Sequence, residues 1–174
     1  RSFKPQGSDA DLQRYGDIIA KQMDGHRSNM GVTPELYRAL EQIYFGLLDT
    51  LERHFTHYPF LLGGLPSVGD FGLMGPLFAH LGRDPYPLSI MQSRSPRVFR
   101  WVEHMNTPEI QSPEFAEAPM NYLAGDEIPD TTLEFLRQCV TDYATVYTAS
   151  ARLYNDWARR NADRPAGSVV SDED

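Results

Sequence analysis

The chain has 174 residues, of which 41% are hydrophobic and 23% are charged, and its net charge is −8. This length and composition fit an ordinary globular domain, and the acidic charge disfavours nucleic acid and anionic membrane surfaces as partners. The single cysteine excludes an internal disulfide. No signal peptide and no membrane-spanning run is visible, so we expect a cytoplasmic protein. Because the first residue is Arg1 and not methionine, we also expect a fragment or a processed product.

Two helical patterns follow a polar lead, residues 1–8, that is predicted to be a linker. A Ser-x-x-acid box at Ser8 starts a helix predicted from Asp9 to His26, and a loop follows over residues 28–32. Thr33-Pro34 is a strong start signal for a second helix, which the apolar spacing predicts as far as His57.

The next stretch, Ser67-Val68-Gly69-Asp70, has the pattern of a capping box at the start of a third helix. The Ser67 hydroxyl can accept a hydrogen bond from the N–H of Asp70, and the Asp70 carboxylate can accept one from the N–H of Ser67. The helix is predicted over residues 68–81 and buried on most sides, because almost no charge interrupts it. Pro76 should kink or interrupt this helix near residues 72–75.

Prolines make the following region less regular. A loop is predicted over residues 82–93, and Ser95-Pro96 then starts another helix, with Trp101 among its buried residues. Residues 106–129 contain several prolines and are predicted to form short helices or an irregular wrap.

A long helix is predicted to close the ordered chain. Either Asp130 or Thr131 caps it, it ends near Arg160, and residues 162–174 form an acidic tail predicted to be disordered. Its predicted buried side consists of apolar residues at helical spacing: Leu133, Leu136, Val140, Tyr143, Tyr147, Tyr154 and Trp157.

The sequence contains few patterns typical of a catalytic, cofactor-binding or metal-binding site. It has no phosphate-binding loop, no dinucleotide-binding glycine motif, no C-x-x-C and no G-x-S-x-G. His54 and His57 have the spacing of a metal-ligand pair, but no carboxylate or cysteine is placed to complete a site. A position at a helix C-terminus, where positive charge is favourable, is the better explanation for both. We therefore predict neither a catalytic residue nor a metal site in this chain.

Residues 58–71 resemble a known family signature. Tyr58-Pro59-Phe60-Leu61-Leu62-Gly63 and Pro66-Ser67-Val68-Gly69-Asp70-Phe71 look like the Y-L-x-G…P-S-x-A-D signature of the cytosolic glutathione transferase C-terminal domain. Gly69 replaces the alanine that is usual in the family. The resemblance covers roughly residues 9–105 and implies an all-α helical bundle of this type over residues 9–161. The bundle would have a buried, capped core helix starting at Ser67 and an extra long C-terminal helix, and the resemblance makes Ser67 and Asp70 structural residues.

The resemblance also implies a function, namely the hydrophobic-substrate-binding half of a glutathione S-transferase-like enzyme. In that family, glutathione is bound and its thiol activated mainly by an N-terminal thioredoxin-like domain, and this sequence has no such segment. The chain alone should therefore not conjugate glutathione, and the family's usual dimer is a further expectation. The wall that contacts a small hydrophobic electrophile would use residues of the first helix, although core packing is the commoner role of such residues: Tyr15, Ile19, Met23 and His26.

The alternative function is a non-catalytic helical protein-interaction module with the same fold. An enzyme requires an apolar groove lined by the first helix, whereas an interaction module requires an exposed apolar patch elsewhere on the surface.

Overall fold

The computed structural model describes residues 6–107 and 113–170. These residues form α-helices joined by turns, short 3₁₀ segments and isolated β-bridges, and the described ranges contain no β-strand, so the predicted all-α class is confirmed. Parts of the predicted lead, irregular region and tail lie outside the described residues. The α-helices are α1 (Asp9–Asn29), α2 (Tyr37–His54), α3 (Val68–Pro76), α4 (Pro85–Arg94), α5 (Pro96–Asn106) and α6 (Asp130–Arg160). None of the described helices is long and apolar enough to cross a membrane.

The chain divides into two compact units, Arg1–Phe45 and Gly46–Asp174, and the division falls within α2. In the first unit, the predicted box at the start of α1 is formed. The N–H of Asp11 donates to Oγ of Ser8 at 3.2 Å, and the N–H of Ser8 donates to Oδ2 of Asp11 at 3.3 Å.

The helices α1 and α2 have ends that differ from the prediction, and α2 ends at His54, three residues before the predicted His57. The helix α1 continues to Asn29, about a turn beyond the predicted end at His26. Near this end, Arg27 pairs with Asp24 at 2.6 Å and donates to the carbonyl of Val32 at 3.0 Å, which links the helix to the following loop. The predicted start at Pro34 is a short 3₁₀ segment, Pro34–Leu36, which leads into α2.

The second unit contains an apolar core that includes both tryptophans. The rings of Phe55 and Trp101 stack with their centroids 4.9 Å apart. Trp101 and Trp157 are 5% and 8% exposed, so the expectation that both are core residues is confirmed. The buried apolar residues are Leu48, Leu51, Phe55, Phe60, Leu61, Leu73, Leu77, Met91, Val98, Trp101, Val102 and Trp157.

Pro76 interrupts the third helix, as predicted, but on its C-terminal side. The α-helical part ends at Pro76 and a π-helical turn, Leu77–Leu81, continues from it. A proline has no N–H to donate to the preceding turn, so a change in hydrogen-bond register at this point is expected. The N–H of Leu77 is shared between the carbonyls of Leu73 and Met74.

The prediction of a loop over residues 82–93 is wrong, because α4 occupies most of this range. Pro85 and Pro87 lie in the first turn of α4, where the missing N–H groups would have had no partner within the helix. The next helix, α5, begins at Pro96 as predicted, but the Ser95 side chain makes no capping bond. Oε2 of Glu52 instead accepts the N–H groups of Arg97 and Val98, at 2.9 and 3.2 Å.

The long helix α6 ends at Arg160 as predicted, but its start differs. The N-cap is Pro129, without a side-chain capping bond, and not Asp130 or Thr131. The prediction of the buried side of α6 is also wrong for most of the residues assigned to it, since Val140 is 61% and Tyr147 71% exposed. The N-terminal part of α6 packs in the second unit through polar side chains instead. There, Oε1 and Oε2 of Glu134 accept from Nη2 of Arg53 at 2.7 Å.

The regions on either side of α6 are irregular. Before it, residues 113–115 and 124–126 form short 3₁₀ turns, as the prediction of short helices or an irregular wrap expects, while 108–112 lie outside the described residues. After it, residues 162–170 of the predicted tail form turns, in which the N–H of Ser168 donates to the carbonyl of Pro165 at 3.2 Å.

Candidate functional site

The four residues predicted to form a substrate wall all lie on α1, within the first unit. Their spacing places Tyr15, Ile19, Met23 and His26 on one side of the helix. Tyr15 is 44% and Met23 57% exposed, His26 is exposed and Ile19 is half-buried. The helix therefore presents an accessible surface of mixed aromatic and aliphatic character. The assignment of these residues to a ligand stays a prediction.

The predicted capping box at Ser67 is formed, and its Asp70 carboxylate is buried. Oδ2 of Asp70 accepts the N–H of Ser67 at 2.8 Å and its hydroxyl at 2.6 Å, and the N–H of Asp70 lies 3.4 Å from Oγ of Ser67. The other carboxylate oxygen of Asp70, Oδ1, accepts the backbone N–H of Leu61 at 2.9 Å. Asp70 itself is fully buried. Its role is thus structural, since its carboxylate ties the start of α3 to the preceding loop.

The same loop is held by the ends of two other helices. Nε2 of His54, in the last turn of α2, lies 3.0 Å from the carbonyl oxygen of Phe60 and donates to it. Oγ1 of Thr132, in the first turn of α6, donates to the carbonyl of Leu61 at 2.8 Å. Three helices therefore fix two consecutive residues, Phe60 and Leu61, by their backbone polar groups.

His54 is a neutral core residue, which corrects the expectation that positive charge explains its place at a helix end. It is 1% exposed, and burial lowers the pKa of its imidazole, although the bond to Phe60 and the charge of Asp70 act in the opposite direction. With Nε2 donating to Phe60, Nδ1 accepts from Oγ1 of Thr131 at 2.8 Å. Both ring nitrogens are bonded to other parts of the core, and the buried ring has a structural role.

No metal site is found in the described ranges, where no three His, Cys, Asp or Glu side chains come together in a suitable cluster. His54 is buried within the loop network, whereas its predicted pair partner His57 is exposed.

The outer face of α3 is a feature that the sequence analysis missed. Val68 is 89% and Phe71 61% exposed, whereas Asp70 and Leu73 on the opposite face are buried. The prediction that the helix is buried on most sides is therefore wrong for this face. A Cβ added at Gly72 would meet nothing within 4 Å, and the same holds for Gly75. The helix thus buries its single carboxylate and exposes apolar side chains beside glycines.

A sequence signal for this outer face existed. Residues 68, 71, 72 and 75 share one side of a helix at the spacing of three and four residues. The absence of charge is compatible with burial, but an exposed apolar face has the same composition.

Comparison with known proteins adds one positive finding. Residues 34–104 match the family model of the glutathione S-transferase C-terminal domain. The resemblance is thereby confirmed for this segment, which spans α2, α3 and α4 and most of α5. No curated protein and no solved structure matches the chain.

Within the matched glutathione S-transferase segment lie the capping box and His54. The predicted substrate residues of α1 and the whole of α6 lie outside it. The match does not extend to Thr131 and Thr132, the α6 side chains that bond to His54 and Leu61.

Proposed function

We propose that this chain is the hydrophobic-substrate-binding half of a cytoplasmic glutathione S-transferase-like protein. In this proposal, it acts on glutathione only together with a thioredoxin-like domain that lies outside these 174 residues. The observation that carries the proposal is the family match over residues 34–104, within which the Ser67–Asp70 box is formed and buried.

The chain's own share of the reaction would be to bind and orient a small hydrophobic electrophile. The surface of α1 that carries Tyr15 and Met23 is accessible and apolar enough for this task. Activation of a thiol needs a positioned base or hydrogen-bond donor. His54 is buried and its ring nitrogens bond to Thr131 and Phe60 inside the core, so it is not accessible to a thiol. When bound, glutathione would supply the sulfur nucleophile, and the groups that hold it belong to the other domain.

The outer face of α3 supports the presence of such a domain. Val68 and Phe71 expose apolar surface next to Gly72 and Gly75, and glycines on a helix surface let another element approach closely. Exposed apolar patches on a protein surface commonly mark a site of contact with another protein or domain. We therefore propose that the thioredoxin-like domain packs against this face.

The proposal is tested first with the isolated chain. Glutathione and a chloronitroaromatic should show no turnover above the uncatalysed rate. The stable conjugate S-(2,4-dinitrophenyl)glutathione should bind through its aromatic end and shift the NMR signals of Tyr15 and Met23. Substituting Met23→Ala should weaken this binding, whereas Lys21→Ala, on the opposite side of α1, should not. Turnover by the chain alone, or no perturbation of α1, would overturn the proposal.

A second measurement concerns the natural gene product. Its intact mass should exceed the 19.8 kDa of this chain by that of a further domain, which typically adds on the order of 100 residues. In that longer protein, Phe71→Glu should separate the two domains and reduce turnover. Tyr86→Glu, which also changes an exposed aromatic residue, should leave turnover unchanged.

A second candidate function is a helical interaction module, and a specific observation favours it. The C-terminal half of α6 exposes large apolar residues far along the chain from the predicted substrate wall, among them Tyr147 at 71%. A natural product without a further domain, combined with no binding of the conjugate, would favour this candidate.

A further inference from the structure

An apolar stripe runs along α6 and is exposed over most of its length. Its members are separated by steps of four, three, four and seven residues, and Ser150 divides the last step into three and four, which is the spacing of a helix that pairs lengthwise with another helix. We call this set the α6 stripe: Leu136 (45% exposed), Val140 (61%), Tyr143 (50%), Tyr147 (71%) and Tyr154 (56%).

The stripe is distinct from the side of α6 that packs in the second unit. That packed side carries Glu134 and Gln138, which bond to Arg53 and Thr50 through contacts of 2.7 and 3.0 Å. Successive stripe residues face the opposite direction, and the rings of Tyr143 and Tyr147 contact one another with centroids 6.3 Å apart. The stripe is therefore largely exposed as far as Tyr147, whereas Tyr154 lines a cavity with the buried Trp157 and the turns that follow α6.

The exposed area is that of a protein interface. The flanking residues Val146 and Leu153 are also 59% and 52% exposed. Because an aromatic side chain can bury about 150–250 Å², the three tyrosines alone expose roughly 270–450 Å², and the four aliphatic residues raise the total to the order of 800 Å². This is the area that one partner contributes to a standard interface.

We propose that the α6 stripe is the contact surface for a second copy of this chain, with the two α6 helices antiparallel. This proposal does not depend on the proposed function. An antiparallel pair places Tyr143 of each copy in the same layer as Tyr147 of the other, so that four tyrosines meet at the two-fold axis. The next layers outward pair Val140 with Ser150 and then Leu136 with Tyr154.

The small residue in the repeat favours this orientation over a parallel one. Ser150 occupies a stripe position, and a parallel pair would place the two serines against each other, which leaves a gap between the helices. The antiparallel pair fills that gap with Val140. It also brings the basic last turn of α6, with Arg159 and Arg160, towards the acidic first turn of the other copy, which contains Asp130.

The first experiment is sedimentation velocity of the full chain over a range of concentrations. We expect a species of twice 19.8 kDa. Tyr147→Glu should weaken self-association at least tenfold, and Tyr86→Glu should not, although Tyr86 on α4 has a similar exposed fraction of 63%. Circular dichroism checks that both variants are folded. A chain that stays monomeric, or a dimer that Tyr147→Glu leaves intact, would overturn the proposal.

The second experiment tests the orientation by disulfide cross-linking in a Cys139→Ala background. Leu136→Cys and Tyr154→Cys are made as separate variants, because residues 18 positions apart on one helix are about 27 Å apart. In the antiparallel dimer, neither variant cross-links by itself, but a mixture of the two does. If each variant cross-links alone as readily as the mixture does, the antiparallel arrangement is wrong.

Discussion

Oδ1 of Asp70 accepts the backbone N–H of Leu61 at 2.9 Å, so one carboxylate joins the start of α3 to a loop nine residues earlier. The other oxygen of the same carboxylate completes the capping box with Ser67. A capping residue normally satisfies donors of its own helix only. Here the cap also organises the loop that carries the family signature.

The first prediction concerns Asp70→Ala. This change leaves the buried N–H of Leu61 without an acceptor and removes the acceptor for Ser67. A buried donor left unsatisfied costs about 1–3 kcal/mol, and the lost cap adds to it. We expect a loss of at least 2 kcal/mol, measured by urea unfolding with tryptophan fluorescence, since Trp101 and Trp157 both report on the second unit.

A matched control is Asp11→Ala at the box that starts α1. It has the same Ser-x-x-Asp pattern but is exposed, so water replaces the lost acceptor. We expect the free energy of unfolding, measured by far-UV circular dichroism, to fall by about 1 kcal/mol or less. Equal losses at the two boxes would show that the burial of Asp70 does not contribute.

Local chemistry explains what could be predicted from the sequence. The boxes at Ser8 and Ser67 depend on residues three positions apart. The start of α5 is indicated by a proline, and the end of α6 by the end of its apolar periodicity. Such signals lie within one turn of helix. The all-α class follows from their sum and from the family signature.

Features that depend on distant residues could not be predicted. Thr131 and Glu134 have the pattern of a capping box, but they bond to His54 and Arg53, which lie 77 and 81 residues earlier in the chain. Glu52 caps α5 from another helix. For the candidate site, the sequence placed four residues on one side of α1, but no local signal decides whether a ligand or protein covers them.

The second prediction is a pH dependence caused by His54. Because burial lowers its pKa below the ordinary value of 6.5, the unfolded chain takes up a proton more readily than the folded chain does. The free energy of unfolding should therefore be constant in this respect above about pH 7.5. It should decrease as the pH falls through 6.5, by at most about 1.4 kcal/mol per pH unit.

The variant His54→Gln keeps a donor for the carbonyl of Phe60 but does not titrate. It should lower the free energy of unfolding at pH 7.5 and flatten its slope between pH 7.5 and 5.5. His80→Gln, at an exposed position in the π-helical turn after Pro76, serves as the control and should retain the slope. A slope unchanged by His54→Gln would assign the pH dependence to another group.

The third prediction compares two carboxylates of α2 that both pair with arginines. Glu52 pairs with Arg97 at 2.9 Å and also accepts two backbone N–H groups at the start of α5, whereas Asp49 pairs with Arg94 only through side chains. Loss of a helix cap costs about 0.5–2 kcal/mol, and an exposed ion pair contributes about 0–1 kcal/mol.

Glu52→Ala should therefore destabilise the chain more than Asp49→Ala does. Added salt separates the two effects, because it screens exposed ion pairs but leaves uncapped N–H groups unpaired. In 1 M NaCl the loss caused by Asp49→Ala should vanish, while most of the loss from Glu52→Ala should persist. The same salt response in both variants would rule out a cap supplied by Glu52.

The fourth prediction contrasts two glycines with opposite surroundings. A Cβ at Gly64 would lie 1.9 Å from the carbonyl oxygen of Pro119, so the loop before α3 and the segment before α6 approach too closely for any side chain. Gly72 lies on the outer face of α3, where a Cβ meets nothing within 4 Å. Gly64→Ala should therefore force the backbone apart and destabilise the chain, whereas Gly72→Ala should stabilise it by about 0.8–1 kcal/mol through helix propensity alone.

Urea unfolding of the isolated chain measures both changes under the same conditions. If Gly64→Ala is tolerated without loss, the close approach of the two segments is not a feature of the folded protein. A destabilising Gly72→Ala would mean that the outer face of α3 is already covered within this chain. In that case no further domain could pack against Val68 and Phe71, and the surface proposed for the thioredoxin-like domain would have to be abandoned.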